Sequence, residues 1–562
     1  MTIETLEERQ KLVATEGVAQ ANHRFVWVIL FLNTIDWLTY YGMSQAFKNF
    51  MEDRLGYSKV SSSALRSTWA SFCDVAPLFG AYVGDELWGR YATITFFTYW
   101  YIGGTALLAI SAWPYVLDNY RELARICFIV SVFGGLAIGN GCFDPNIVTF
   151  GADQFSTPET KQAYFSHFYL TINIACTVSY AYLSYLSVNG LGEFIPAEYG
   201  YFATFVLCGG LLSVAMIAFV RQSPSYVRLP PSQSHSRELR YVVGGFGVFV
   251  LSFLLNVVAL FIPKDTAIFQ ATTWIAGLCV VFGAGLWIAK AIDVSYIDSD
   301  VDLNVSVRSD LKQMLRMLPI ISFQIAWNCV QDQLDANFQS VAQQSDLRLG
   351  SGRNATQIPG AALGLFDSIG VLVILPILDF VVYPAVEWYL RRRVTVSDKM
   401  AAGFVLACVT MVWSGLVETW RRNSGEIDVG DGLGPLLDTG THKPMNNLSW
   451  LYIAVSYFLI SLCECLINIP TYEIFYTHVP LQWKSTSQAI RSFSLAMGDN
   501  LASIFSLVFA RYIPDDLNQG NLEYLYYGMA IIAFVNAIGF IYLIAKTTIM
   551  QEGQPLSIQV GV

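Results

Sequence analysis

"FVWVILFLNTIDWLTYYGMSQAF", Phe25 to Phe47, is the first long apolar stretch of the chain. About 20 mostly apolar residues are what a helix needs to cross the hydrocarbon core of a bilayer, so this stretch reads as a membrane span. In its middle stands Asp36, with no basic residue beside it in sequence. A carboxylate at that depth costs about 2.5–3.5 kcal/mol on insertion scales, which marks it as a functional group unless it caps a helix end or meets water.

The rest of the chain has the same character. Its 562 residues are 54% hydrophobic and 14% charged, too apolar for a soluble chain of this length and typical of a polytopic membrane protein. The polar segment 1–24 lacks the short apolar core and small-residue cleavage site of a signal peptide and is expected to stay in the cytosol. The ten cysteines are scattered, and Cys463 with Cys465, the one close pair, fits no zinc or redox spacing. The net charge of -10 reflects acidic loops such as Glu426 to Asp438 and points to no nucleic-acid partner.

Spans are expected near 25–47, 63–83, 93–113, 123–143, 164–187 and 200–220, giving an N-terminal six-helix bundle over 25–220. A linker region, 221–310, begins with the Pro- and Ser-rich run Arg221 to Arg240 and holds two further spans near 241–262 and 267–289. Six more follow near 312–336, 359–387, 400–420, 449–475, 485–511 and 522–546, a C-terminal bundle over 311–548, before a tail at 549–562. The fold class is therefore an all-α membrane protein of about 14 spans. An even insert leaves both six-helix halves in the same orientation, as a two-lobed carrier requires.

Arg391, Arg392, Arg393 and Lys399 lie in one loop, which the positive-inside rule places in the cytosol together with both termini. The sequons at Asn354 and Asn447 then fall outside.

Several motifs occur in order. "GAYVGDELWGRYATI" (Gly80 to Ile94) sets Asp85, Gly89 and Arg90 at a tight turn on the cytosolic side, where Asp85 and Arg90 can act as a gating latch. "GNGCFDPNIVTFGADQF" (Gly139 to Phe155) is a Gly-rich helix followed by Pro and then Phe-Gly-Ala-Asp-Gln-Phe. "FSHFYLTINIACTVS" carries Asn173, and "PTYEIFYTHVPLQWKS" carries Glu473, Tyr476, Pro480, Lys484 and Ser485. With "WNCVQDQ" and "LPILDFVVYP", these segments resemble the proton-coupled oligopeptide transporter family of the major facilitator superfamily over most of the chain. That resemblance implies the major facilitator fold, two six-helix bundles here joined by the two extra helices, with a binding site at midplane.

The opening stretch resembles the family's Glu-x-x-Glu-Arg-Phe-x-Tyr-Tyr-Gly, retaining Tyr40, Tyr41 and Gly42. Asn33 and Asp36 stand where the family has Glu, and Trp37 where it has Arg. Asp144 replaces a Lys, Ser44 a second Arg, Gln331 an acid and Ala175 a Gly. In the family those cations recognise a peptide carboxylate and a span-ten glutamate, matched here to Glu473, recognises the amino end. Substrate-binding residues implied by the resemblance are Trp37, Tyr40, Tyr41, Asp144, Asn173 and Glu473. The proton-coupling set is Asp36, Asp144 and Glu473.

Asp74, Asp332, Asp335 and Asp367 fall at further inner positions, and the inner parts of these spans are expected to lack Lys and Arg. A field of that sign attracts amines and repels carboxylates. Clustered carboxylates seldom ionise together, so a proton and a cationic substrate would compete for them. Trp37, Tyr40, Tyr41 and Trp327 offer ring faces to cations, and His167 is a candidate proton relay.

The function expected is proton-coupled symport of di- or tripeptides or related amino compounds, with a preference for cationic or carboxylate-poor substrates. A nutrient receptor that carries no flux is the alternative. The partners expected are a small peptide or amine, protons and lipid, the chain acting as a monomer in the plasma membrane or a lysosome- or vacuole-like membrane. No cofactor, metal or enzymatic activity is expected: there is no ordered metal-ligand spacing, Ser-His-Asp set or phosphate-binding Gly-Lys loop.

Overall fold

A computed structural model describes residues 23–155, 158–228, 246–263, 266–292, 305–350, 355–427, 444–477 and 484–546, with residues 230, 294 and 297. A helix lies in each expected span, although the one expected at 312–336 is interrupted at 316–317 and ends at Gln331, and 241–245 of the one expected at 241–262 lie outside the described residues. The first half comprises α1 (His23–Asp53), α2 (Lys59–Tyr82), α3 (Arg90–Ala112), α4 (Arg121–Ala152), α5 (Pro158–Val178) and α6 (Gly200–Arg221). A hairpin of α7 (Phe246–Leu260) and α8 (Ala267–Ile292) follows. The second half comprises α9 (Leu318–Gln331), α10 (Ala362–Leu390), α11 (Val396–Asn423), α12 (Leu451–Thr477), α13 (Lys484–Val508) and α14 (Glu523–Lys546).

Among the described residues, eight helices are long and apolar enough to cross a membrane. The polar character of α1, α2 and α13 has a structural cause. Ser63, Arg66, Ser67, Thr68 and Ser71 of α2 are buried against the second half rather than turned to lipid, so hydropathy falls where the halves meet.

Aromatic side chains fill the first half: Phe47 packs edge-on to Trp69 and Phe128, and Phe50 against Tyr201 and Phe205. The second half is built around Phe338, Tyr457, Tyr526, Phe404 and Phe540. The hairpin shares this second core, with Phe249 and Trp287 packed on Phe493 of α13. It is also pinned by polar contacts: Asn256 Nδ2 donates to Asn500 Oδ1 at 2.8 Å, and Asn500 Nδ2 to Ser252 Oγ at 2.9 Å. An amide in an apolar helix is tolerated when a neighbouring helix satisfies it.

Two helices approach backbone to backbone. A Cβ placed on Gly104 of α3 would lie 2.7 Å from Gly135 Cα, while one on Gly134 would meet nothing within 4 Å. Gly135→Ala should therefore force α3 and α4 apart, at about 1–3 kcal/mol for such overpacking. Gly134→Ala should be tolerated. Thermal melts of the two purified variants in detergent check this: a fall of several degrees is expected only for Gly135→Ala.

Candidate transport site

The two halves meet along α1, α2 and the segment that follows α9. That segment is broken: α9 ends at Gln331, a single tight turn covers Asp332–Leu334, and a short helix resumes at Phe338–Gln343. The break sets Asp332 and Asp335 facing α2, where Arg66 is 6% exposed. Arg66 Nη1 donates to Asp332 Oδ1 at 2.8 Å, and Nη2 pairs with Asp335. Ser67 Oγ donates to the other oxygen of Asp332 at 2.5 Å, and Gln45 Nε2 to Asp335 Oδ1 at 2.6 Å.

Towards the end that bears Asn447, Lys48 Nζ donates to Ser340 Oγ and Lys59 Nζ to Gln344 Oε1, each at 2.6 Å. Gln343 Nε2 donates to Asn49 Oδ1 at 2.5 Å. These buried bonds tie the halves together at that end. Asn447 is exposed there, and Asn354 lies outside the described residues.

The expectation of an interior without basic residues is thus wrong: Lys48, Lys59 and Arg66 are all buried. Lys48 lies just beyond the span expected at 25–47, and Arg66 near the start of the one expected at 63–83. Their partners, the hydroxyl of Ser340 and the carboxylate of Asp332, lie more than 250 positions away in sequence, so local pattern could not reveal the pairing.

Asp36 is fully buried, and Asn140 Nδ2 of α4 donates to its Oδ1 at 3.0 Å. Asp144, one turn beyond Asn140, acts electrostatically on Asp36, so the structure brings this predicted pair together. Asp36 Oδ2, Asp144 Oδ1 and Trp37 Nε1 have no hydrogen-bond partner among the described residues. Buried polar atoms in native proteins are normally paired, and the exceptions concentrate where something else binds.

Trp37 stacks on Tyr41 with centroids 5.6 Å apart, Tyr40 stands edge-on to Tyr41 at 5.3 Å and stacks on Trp69, and Tyr41 also faces Tyr180. The three predicted aromatics therefore form one wall. Asn173 is half-buried on α5.

On the second half, Glu464 and Asp335 are electrostatic neighbours of Tyr41, and composition and motif matching did not single out Glu464. Gln331 Nε2 donates to Glu464, and Asn468 Nδ2 lies 3.4 Å from the same oxygen. Asp367 of α10 is its electrostatic neighbour and accepts from Ser461 Oγ at 3.0 Å. Glu473 lies nine positions further along α12, about 13 Å down the axis, and its side chain is outside the described residues. Its place in an aromatic-rich motif made it conspicuous, whereas "LCECL" around Glu464 reads as plain membrane helix.

Asp74 of α2 and Asp499 of α13 are electrostatic neighbours across the two halves. Arg491, also on α13, acts on both Asp74 and Asp144, and sequence reading missed it.

Among the remaining candidates, Arg90 Nη1 pairs with Asp153 of the Phe-Gly-Ala-Asp-Gln-Phe motif at 2.5 Å, and the side chain of Asp85 is outside the described residues. The turn between α2 and α3 needs Gly89, whose φ is 81°. Trp327 is buried, donating from Nε1 to Asn468 Oδ1 at 2.9 Å. His167 is exposed and edge-on to Trp27 at 5.6 Å, which sets it on the outer surface rather than among the carboxylates.

Two helical halves with polar seams, a charged interior and a lipid-facing exterior define a multi-pass membrane carrier. A profile of the POT family matches residues 91–519, and the chain belongs to that family of transporters. Among curated proteins, Protein NRT1/PTR FAMILY 8.3 of Arabidopsis thaliana is 26% identical over 551 residues, covering 91% of this chain and 88% of its own length. Protein NRT1/PTR FAMILY 8.1 of the same organism is 26% identical, covering 90% of each chain. The crystal structure of an auto-inhibited POT family peptide transporter superposes with TM-score 0.72 at 19% identity over 95% of this chain and 99% of that one. The POT family transporter PepTSo gives 0.72 at 18% identity, over 93% and 98%.

Removing one partner of a buried ion pair costs about 3–5 kcal/mol. Arg66→Ala should therefore open the end held by Asp332 and Asp335, and Arg66→Lys should retain part of the closure. A single cysteine at Ser340 labelled by a membrane-impermeant maleimide measures this. Labelling at least tenfold faster in Arg66→Ala is expected, and an unchanged rate would show that the pair does not hold that end shut.

Proposed function

We propose that the chain is a secondary active transporter working by alternating access, a proton-coupled symporter of di- and tripeptides or related amino compounds that favours cationic or carboxylate-poor substrates. The observation that carries this reading is the charge balance of the interior. Arg66 is taken up by Asp332 and Asp335, which leaves Asp36, Asp144, Asp367 and Glu464, with the Asp74–Asp499 pair, beside Arg491. Such a surplus of acid draws in an ammonium group and repels a carboxylate.

The seam supplies a means of coupling. Opening the end closed by Arg66 takes the guanidinium away with one half and leaves Asp332 and Asp335 on the other. Unpaired buried charges are costly, so opening must hand those acids to water or to a cationic partner, and reclosing restores the ion pair. Asp36, buried with one free oxygen, is the proton acceptor on the first half, and Glu464 receives the substrate amine on the second.

A charge-assisted hydrogen bond contributes about 1.5–3 kcal/mol, roughly ten- to a hundredfold in affinity. With acids at Asp36 and Asp144, C-terminally amidated dipeptides should outcompete the free-carboxylate forms by about tenfold in proteoliposomes under an imposed pH gradient. Asp144→Lys should reverse that preference. If a panel of peptides, amides, amino acids and amines gives no gradient-dependent flux, the chain is a receptor rather than a carrier.

A further inference from the structure

We propose that Trp327 is a positioning residue for amine recognition: through Asn468 and Gln331 it fixes Glu464 as an acceptor for the ammonium group of the substrate. This rests on the reading above that Glu464 receives that group, and deepens it. Four side chains on two helices are involved. Trp327 and Gln331 lie four residues apart on α9, and Glu464 and Asn468 four apart on α12, a spacing that puts both members of each pair on one helix face. Hydrogen bonds join the two faces. Trp327 Nε1 donates to Asn468 Oδ1 at 2.9 Å, and Asn468 Nδ2 donates to Glu464 Oε1 at 3.4 Å and to Gln331 Oε1 at 3.5 Å. Gln331 Nε2 donates to the same Oε1 of Glu464.

A side-chain amide can turn over and exchange its donor for its acceptor. Here the indole prevents that. Its N–H only donates, and Trp327 is buried at 1% exposure, where an unmet donor is costly. Asn468 must therefore present Oδ1 to the indole and Nδ2 to Glu464. Gln331 is left with one orientation, because turned over it would set its amino group against Asn468 Nδ2 and its oxygen against the carboxylate. Every bond of the set thus leads from Trp327 toward Glu464, whose Oε1 is an acceptor.

The donors that hold Glu464 are uncharged, so they orient it without cancelling its charge, unlike Arg66 at Asp335. Among the described residues, both donors reach Oε1 and neither reaches Oε2. Glu464, Gln331 and Asn468 are half-buried, whereas Trp327 is buried, so the anchor lies inside the protein and the acceptor end is accessible. A charged group that brings donors and no acceptor, an ammonium, completes this carboxylate with charge-assisted bonds.

The test is isothermal titration of the purified full chain in detergent with alanyl-alanine amide and with its N-acetylated form, which lacks the ammonium. Wild-type protein should bind the free amine about tenfold more tightly, the worth of one charge-assisted bond, and Glu464→Gln should remove that difference. Asn468→Leu and Trp327→Phe should each weaken the free amine by about fivefold or more, yet by less than about twofold when added to Glu464→Gln, since groups that act through one another are non-additive. Neither should change the acetylated compound. The stoichiometry reports the folded fraction, so loss of folded protein does not pass for a change in Kd. Equal weakening of both compounds, or equal effects with and without Glu464→Gln, would show that these side chains only support the fold and would overturn the proposal. Unchanged amine binding in Asn468→Leu and Trp327→Phe would overturn it too, leaving Glu464 as the amine acceptor. Wild-type protein that does not distinguish the compounds, or Glu464→Gln without effect, would sink the reading of Glu464 as well.

Discussion

Arg66 is a guanidinium buried in the middle of a membrane protein, and the closed seam depends on how its charge is met. It lies on α2 in the first half, whereas Asp332 and Asp335 come from the break after α9 in the second. Neither half could bury its own share alone, since an unpaired charge in a low-dielectric interior costs several kcal/mol. The pair therefore exists only where the halves touch. Gln45, Lys48, Asn49 and Lys59 extend the same logic along the seam, each completing its hydrogen bonds across the divide. A seam rich in polar bonds can open into water more readily than the aromatic cores of the two halves, although Val60 and Ala64 of α2 add apolar contacts to it.

The hairpin of α7 and α8 stands in a different relation to the halves. Its aromatic side chains join the second core, and its Asn256 amide and Ser252 hydroxyl bond to Asn500 of α13. Yet Phe253 also stacks on Phe72 of α2 at 6.0 Å, and Ser503, which contacts Asn256, bonds Thr68 of α2 at 2.9 Å. The hairpin thus sits at the α2–α13 contact, the line along which Asp74 and Asp499 also lie. Packing ties it more firmly to one half than to the other.

Much of the architecture was legible before any coordinate. Span length and apolar composition mark most of the helices, eight of them strongly among the described residues, because a lipid environment demands an intra-segment hydrogen-bonded backbone of fixed length. Asp36, Asp144 and the Trp37, Tyr40 and Tyr41 group were identifiable as well, since a charge or an aromatic cluster within such a span is conspicuous against its background. The helix ends were less legible: α1 runs to Asp53, beyond the apolar stretch, because Lys48, Asn49 and Glu52 are buried against protein rather than presented to lipid.

What the sequence determined by itself is the number and order of the helices, the polar linker between the halves and the presence of acids at bilayer depth. These follow from local composition read against one solvent, the hydrocarbon. Only the tertiary structure decided which acids are paired and which remain open. Arg66 to Asp332, Asp74 to Asp499 and Glu464 to Gln331 each join residues more than 130 positions apart, and no periodicity within a helix encodes its partner on another. The sign of the site is therefore a property of the assembled halves: a charge counts toward what the interior binds only when no neighbour brought in by the fold has already met it.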